Sequence, residues 1–120
     1  MGKFVMKKVN TGWHFNLEAG NGEVIAVSEV YTSTAACKKG IASVKKNAGA
    51  AGLEDQTEGG AAKNPKFEVY KDKGGQFRFR LKARNGKIIA ASEGYTSKSG
   101  CENGIDSVRR NAPGAAIEMV

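Results

Sequence analysis

The chain has 120 residues, 40% of them hydrophobic and 26% charged, with a formal net charge of +7. These values suit one globular unit with a modest core and argue against a disordered chain. No run approaches the ~20 apolar residues of a membrane span, and two cysteines without a CxxC indicate neither a disulfide scaffold nor a zinc site. The opening Met1-Gly2-Lys3-Phe4-Val5-Met6-Lys7-Lys8 lacks the apolar centre of a signal peptide, so a cytoplasmic protein without metal or cofactor is expected. The charge is uneven: +4 over residues 2–48, −2 over 49–64 and +6 over 65–113. An excess of this kind attracts polyanions over about one Debye length, ~8 Å at physiological salt.

A first strand is expected at about residues 3–8, closed by a loop at Asn10-Thr11-Gly12. The next segment alternates cleanly, with Trp13, Phe15, Leu17 and Ala19 on one face, as in a strand half buried on a core. Asn21-Gly22 then supplies two residues tolerant of positive φ, which suits a type I′ hairpin. A third, apolar strand runs from Val24 to Ser28. After Tyr31-Thr32-Ser33 the period becomes helical: Cys37, Ile41, Val44 and Ala48 fall at i, i+4, i+7 and i+11. Ser33, or Thr32 before it, is the expected N-cap, Lys45-Lys46 suit the C-terminal dipole, and Gly49 ends the helix. Residues 49–64 are Ala/Gly-rich, acidic and without a period. As a flexible linker they would reach about 20–24 Å.

The pattern then starts again. Strands are expected at 66–71, through Phe77, Phe79, Leu81 and Ala83, and from Ile88 to Ser92, with a helical stripe of Cys101, Ile105, Val108 and Ala112 ended by Pro113. At an offset of 64, Ser28-Glu29-Val30-Tyr31-Thr32-Ser33 matches Ser92-Glu93-Gly94-Tyr95-Thr96-Ser97. Gly40-Ile41-Ala42-Ser43-Val44-Lys45-Lys46-Asn47-Ala48 likewise matches Gly104-Ile105-Asp106-Ser107-Val108-Arg109-Arg110-Asn111-Ala112. Before residue 13 the offset falls to 63, through one extra residue in a hairpin turn. The chain is therefore a tandem duplication. Residues 1–48 form a first β3-α repeat, 49–64 a linker and 65–120 a second repeat. One such repeat buries little by itself. The expected fold is α+β: one antiparallel six-stranded sheet, two helices on one face, and a pseudo-two-fold axis between the repeats.

These twice-repeated runs, Asn-Gly-x-x-Ile-x-x-Ser-Glu-x-Tyr-Thr-Ser and Gly-Ile-x-Ser-Val-(Lys/Arg)-(Lys/Arg)-Asn-Ala, resemble the YegP-like family of small bacterial proteins. The resemblance covers nearly the whole chain outside the linker and the last few residues. It implies a β3-α motif, as tandem repeats or as two subunits, in one sheet with the C-terminal helices exchanged between halves. It implies no activity, substrate or catalytic residue.

The strongest candidate site is the outer face of the second strand in the second repeat. With Phe77, Phe79 and Leu81 inward, Arg78, Arg80, Lys82 and Arg84 form one outward row whose spacing of ~6.6–6.8 Å is close to that of phosphates along a single nucleic-acid strand. Tyr70 shares that phase and offers a stacking surface. The matching residues of the first repeat, His14, Asn16, Glu18 and Gly20, show that the fold does not need the row. A non-enzymatic module that binds a polyanion such as nucleic acid is the preferred reading. The competing readings are a solvated sheet face that resists aggregation and a surface for a protein partner or for self-association through sheet edges or Ile25, Val27 and Ile89. A two-residue turn would place Arg78 opposite Glu93, His14 opposite Glu29 and Ile89 beside Lys82. His14 has no nucleophile partner in the pattern, and Cys37 and Cys101 fall on buried stripes. Gly40 and Gly104 read as close packing points inside helices.

Overall fold

The structure is a computed structural model that describes residues 2–120. Its strands are β1 (Lys3–Val9), β2 (Gly12–Glu18), β3 (Val24–Val27), β4 (Gly52–Asp55), β5 (Lys66–Lys71), β6 (Phe77–Lys82), β7 (Ile88–Ala91) and β8 (Ala116–Met119). Its helices are α1 (Thr34–Ala48), after β3, and α2 (Lys98–Asn111), after β7. Neither helix is long and apolar enough to cross a membrane.

The sheet has eight strands, not six, in the order β4-β5-β6-β7-β3-β2-β1-β8. It is mixed, because β4 lies parallel to β5 and β8 parallel to β1. The two additional strands follow the helices and cross to the other repeat. β4 leaves α1 and extends the second repeat's sheet; β8 leaves α2 and extends the first. The segment expected as a plain linker thus contains β4 and a 3-10 turn, Gln56–Glu58. These four-residue strands are too short to show alternation. Yet the offset of 64 continues into them, pairing Ala51, Leu53 and Glu54 with Ala115, Ile117 and Glu118.

The hairpins also depart from expectation. Ala19 N–H donates to Glu23 O and Ala83 N–H to Lys87 O, so each loop has three residues and ends on glycine, Gly22 (φ 85°) and Gly86 (φ 84°). Asn21 and Asn85 keep negative φ, since their Oδ1 atoms accept from the N–H of Glu23 and Lys87. The register then shifts between Leu81 and Lys82, putting Ile88 opposite Lys82. Ile89 turns inward at 5% exposure, and Ile25 does the same at 8%. Neither is available on the outer face for self-association; Val27 and Ile88 are.

At the centre, β3 and β7 share a single residue pair, Val27 with Ala91. The halves are joined chiefly by what crosses between them: the exchanged strands, α1 packed over β2 and β7, and α2 packed over β6 and β3. The core repeats itself, too. Phe4 meets Phe15 edge-on with centroids 5.6 Å apart, and Phe67 meets Phe79 at 5.9 Å. Both helical stripes are fully or nearly fully buried, and Ser33 and Ser97 cap the helices by accepting from Ala36 and Gly100 N–H.

The two edge strands are held unequally. β8 has one side-chain tie to its neighbour, the exposed Lys3–Glu118 pair at 3.0 Å. β4 has Glu54, at 8% exposure, receiving hydrogen bonds from Lys66 (2.8 Å), Gln56 (2.7 Å) and Ala62 N–H (3.0 Å). Amide exchange should therefore be faster in residues 116–119 than in 52–55 under native conditions, with local opening of β8 and no global unfolding. Hydrogen-exchange NMR measures both; equal protection would contradict the inequality.

Candidate functional site

The basic row on β6 does not stand free. Glu68, on β5, has the same phase as Tyr70 and lies at 2% exposure between three cations: Arg80, Lys66 at 3.2 Å and Lys82 at 3.3 Å. Burial alone would push its carboxyl up, but hydrogen bonds from Arg80, Lys66 and Lys82 more than reverse this and hold it below its ordinary value. Arg78 bonds to Asp72 at 2.6 Å rather than to Glu93. Tyr70 has the Arg80 guanidinium 4.5 Å from its ring centroid, so one face of the stacking surface is already occupied. Three of the four cations in the row are engaged in ion pairs within the molecule.

Arg84 is the exception. It sits in the β6–β7 loop, which leans toward α1 of the other repeat. Between them lies an open groove in two adjoining lobes, of about 380 and 340 Å³, that share Lys39, Ser43, Ala83 and Asn85. Lys39 and Lys46 come from α1, Arg84 and Lys87 from the hairpin. All four are exposed, and none has an acidic partner within 4 Å among the described residues. One carboxylate, Glu29, lines the groove, leaving it a net +3.

The pseudo-two-fold axis generates a twin groove between α2 and the β2–β3 hairpin. There the offset of 64 puts Asn103 for Lys39, Arg110 for Lys46, Gly20 for Arg84 and Glu23 for Lys87. With Glu93 added, the twin carries a net −1. One backbone has thus been given two grooves of opposite sign, so packing does not require the cations.

Sequence reasoning missed Lys39, Lys46 and Lys87. Part of the signal was present: Lys39, Ser43 and Lys46 fall at i, i+4 and i+7, a face distinct from the buried stripe. Opposing that face to the hairpin of the other repeat required the tertiary structure.

The remaining candidates are structural. Gly40 and Gly104 lie against the hydroxyl-bearing ends of Tyr31 and Tyr95, which stack on Phe15 and Phe79 at 6.3 Å. Burial pushes the Cys37 thiol up and carries Cys101 to about 11, so neither is a ready thiolate. His14 sits across from Lys7 on β1. Among the described residues no group of three or more His, Cys, Asp or Glu side chains could hold a metal ion.

The fold and its internal repeat define a duplicated β3-α protein of the YegP-like kind. The chain belongs to the family described as a domain of unknown function, DUF1508, whose model matches it twice, at residues 9–55 and 72–118. It is similar to a UPF0339 protein of Pseudomonas aeruginosa, 40% identical over 116 residues that cover 96% of this chain and 94% of that one. A UPF0339 protein of Treponema denticola is 65% identical over 55 residues, 46% of this chain and 95% of that one, and so has about the length of one repeat. The solution NMR structure of YegP from E. coli, a protein of unknown function, superimposes with a TM-score of 0.80 at 36% identity, covering 98% of this chain and 91% of that one. None of these descriptions assigns an activity.

Proposed function

We propose that this protein is a non-enzymatic binding module that takes a polyanion such as nucleic acid in the groove between α1 and the β6–β7 hairpin. The carrying observation is the set of unpaired cations, Lys39, Lys46, Arg84 and Lys87, at a place where the twin groove has Asn103, Arg110, Gly20 and Glu23. Four convergent cations on a concave surface provide phosphate contacts and counterion release. The outer row contributes at its margin. Arg78, Arg80 and Lys82 keep the strand face near neutrality through Asp72 and Glu68, so their charges add little free field, and Tyr70 is partly covered.

Binding to a single-stranded oligonucleotide should weaken with salt at a log–log slope of about −3, from four contacts at ~0.7 each. Arg84→Glu should cost about tenfold in affinity at low salt while leaving thermal stability unchanged, since Arg84 makes no ion pair. Fluorescence anisotropy over a salt series measures both. Salt-independent affinity, or no loss in Arg84→Glu, would count against the groove.

A second reading, a protein-interaction or self-associating module, has one observation in its favour. Val27 (36% exposed) and Ile88 (41%) flank a cleft of about 370 Å³ on the outer side of the β3–β7 junction. Absence of any polyanion binding, together with a concentration-dependent sedimentation coefficient, would favour it.

A further inference from the structure

The second lobe of the groove serves no purpose for a bare chain of phosphates, and we infer that it seats an unpaired base, making the ligand single-stranded nucleic acid. This rests on the polyanion reading above and goes further, because it distinguishes single strands from duplexes and from base-free polyanions. The lobe of about 340 Å³ is lined on one side by Ala36 and Gly40 of α1 with Tyr31 beneath, and on the other by Ile88 and Ile89. Phosphate gains nothing against such a surface and would lose water. A nucleobase, with apolar faces and a polar edge, suits it.

The charges set a direction. Glu29 lies at the apolar lobe and is the one carboxylate among the residues lining the two lobes. It repels phosphate and can accept a hydrogen bond from an amino group on a base edge. Lys46 and Arg84 lie at the other lobe, with Lys39 at the junction. The phosphates therefore run past Lys46 and Arg84 while the base turns toward Tyr31 and Glu29. Asn85 stands between them, with its Oδ1 committed to Lys87 N–H at 3.0 Å and its amide N–H2 facing no partner among the described residues. In a duplex the bases are stacked inside and do not reach a pocket of this depth.

The twin groove limits the stoichiometry. Tyr95 is present there, but Gly100 replaces Ala36, Val24 replaces Ile88, and the cations at the junction and hairpin are absent. One strand per chain follows, on the α1 side.

The test compares three labelled ligands by fluorescence anisotropy at low salt: a mixed-sequence DNA hexamer, an abasic strand with the same number of phosphates, and a short hairpin duplex. The hexamer should bind about tenfold more tightly than the abasic strand, the value of one stacked base. Ala36→Leu, which fills the lobe and leaves every cation in place, should bring the hexamer down to the abasic affinity. The comparison within the wild-type protein stands even if that variant folds poorly. Equal affinity for hexamer and abasic strand, or a preference for duplex, overturns the base pocket and leaves the polyanion reading intact. No binding of any of the three overturns both.

Discussion

Glu68→Ala is expected to lower the unfolding free energy by about 3 kcal/mol, the low end of what removing one partner from a buried ion pair costs. The carboxylate is 3% exposed, whereas Lys66, Arg80 and Lys82 retain 14%, 29% and 26%, which lets water relieve part of the repulsion left behind. The first repeat shows how the same place is built without charge. Val5 stands where Glu68 does, Asn16 where Arg80 does, and Glu18 where Lys82 does. Val5 is buried at 4%. Transplanting that solution as Glu68→Val with Arg80→Asn and Lys82→Glu should recover more than half of the loss, because it removes the carboxylate together with two of the cations left without it. Urea unfolding gives both values. A triple variant no more stable than Glu68→Ala would mean that the cluster is not the source of the effect.

The same cluster sets an acid limit. Hydrogen bonds from Lys66, Gln56 and Ala62 N–H hold the Glu54 carboxyl at about 2, and Glu68 is also depressed. Both values lie below the unfolded value of ~4.3, so their contribution is complete above that pH and is lost as pH falls toward 2. Urea midpoints should be flat with respect to these two groups from pH 7 to about 5, then decline. The triple variant should decline less steeply.

The second large effect is expected at Gly104. A Cβ there would stand 2.9 Å from the ring carbon of Tyr95 that bears the hydroxyl and 3.0 Å from Phe79, closer to the hydroxyl still. Neither ring is a free end, since Tyr95 stacks on Phe79 and Phe79 packs edge-on against Phe67. Gly104→Ala gains ~1 kcal/mol of helix propensity, yet should destabilise by about 2 kcal/mol net through overpacking. Gly40→Ala should behave alike, facing Tyr31 with the ring carbon at 2.6 Å. Adding Tyr95→Phe to Gly104→Ala removes the nearest atom and should restore part of the loss, as a thermal melt would show. If Gly104→Ala is neutral or stabilising, the helix can lift off the sheet and the glycine is not a packing constraint.

The candidate site was legible only in part. Arg84 was singled out for the right chemistry but assigned to the wrong surface: a hairpin loop of three residues rather than two takes it off the strand and places it over α1. The pairing of Arg80 with Glu68 was within reach of strand phase alone, since Glu68 and Tyr70 share a face by alternation. Lys39 and Lys46 share a helical face for the same kind of reason. What alternation and helical period do not contain is which face meets which hairpin.

By itself the sequence determined the duplication, the three strands and one helix of each repeat, the inward stripes, the serine caps and the glycines that make room for tyrosines. All of these are local, set by periodicity, capping chemistry and the volume of a single side chain. Only the tertiary structure decided that β4 and β8 cross between repeats, that the sheet is mixed, and that one of two equivalent grooves is cationic. Those features arise from contacts between residues tens of positions apart. Strands of four residues become strands only because an exposed sheet edge is there to accept their hydrogen bonds.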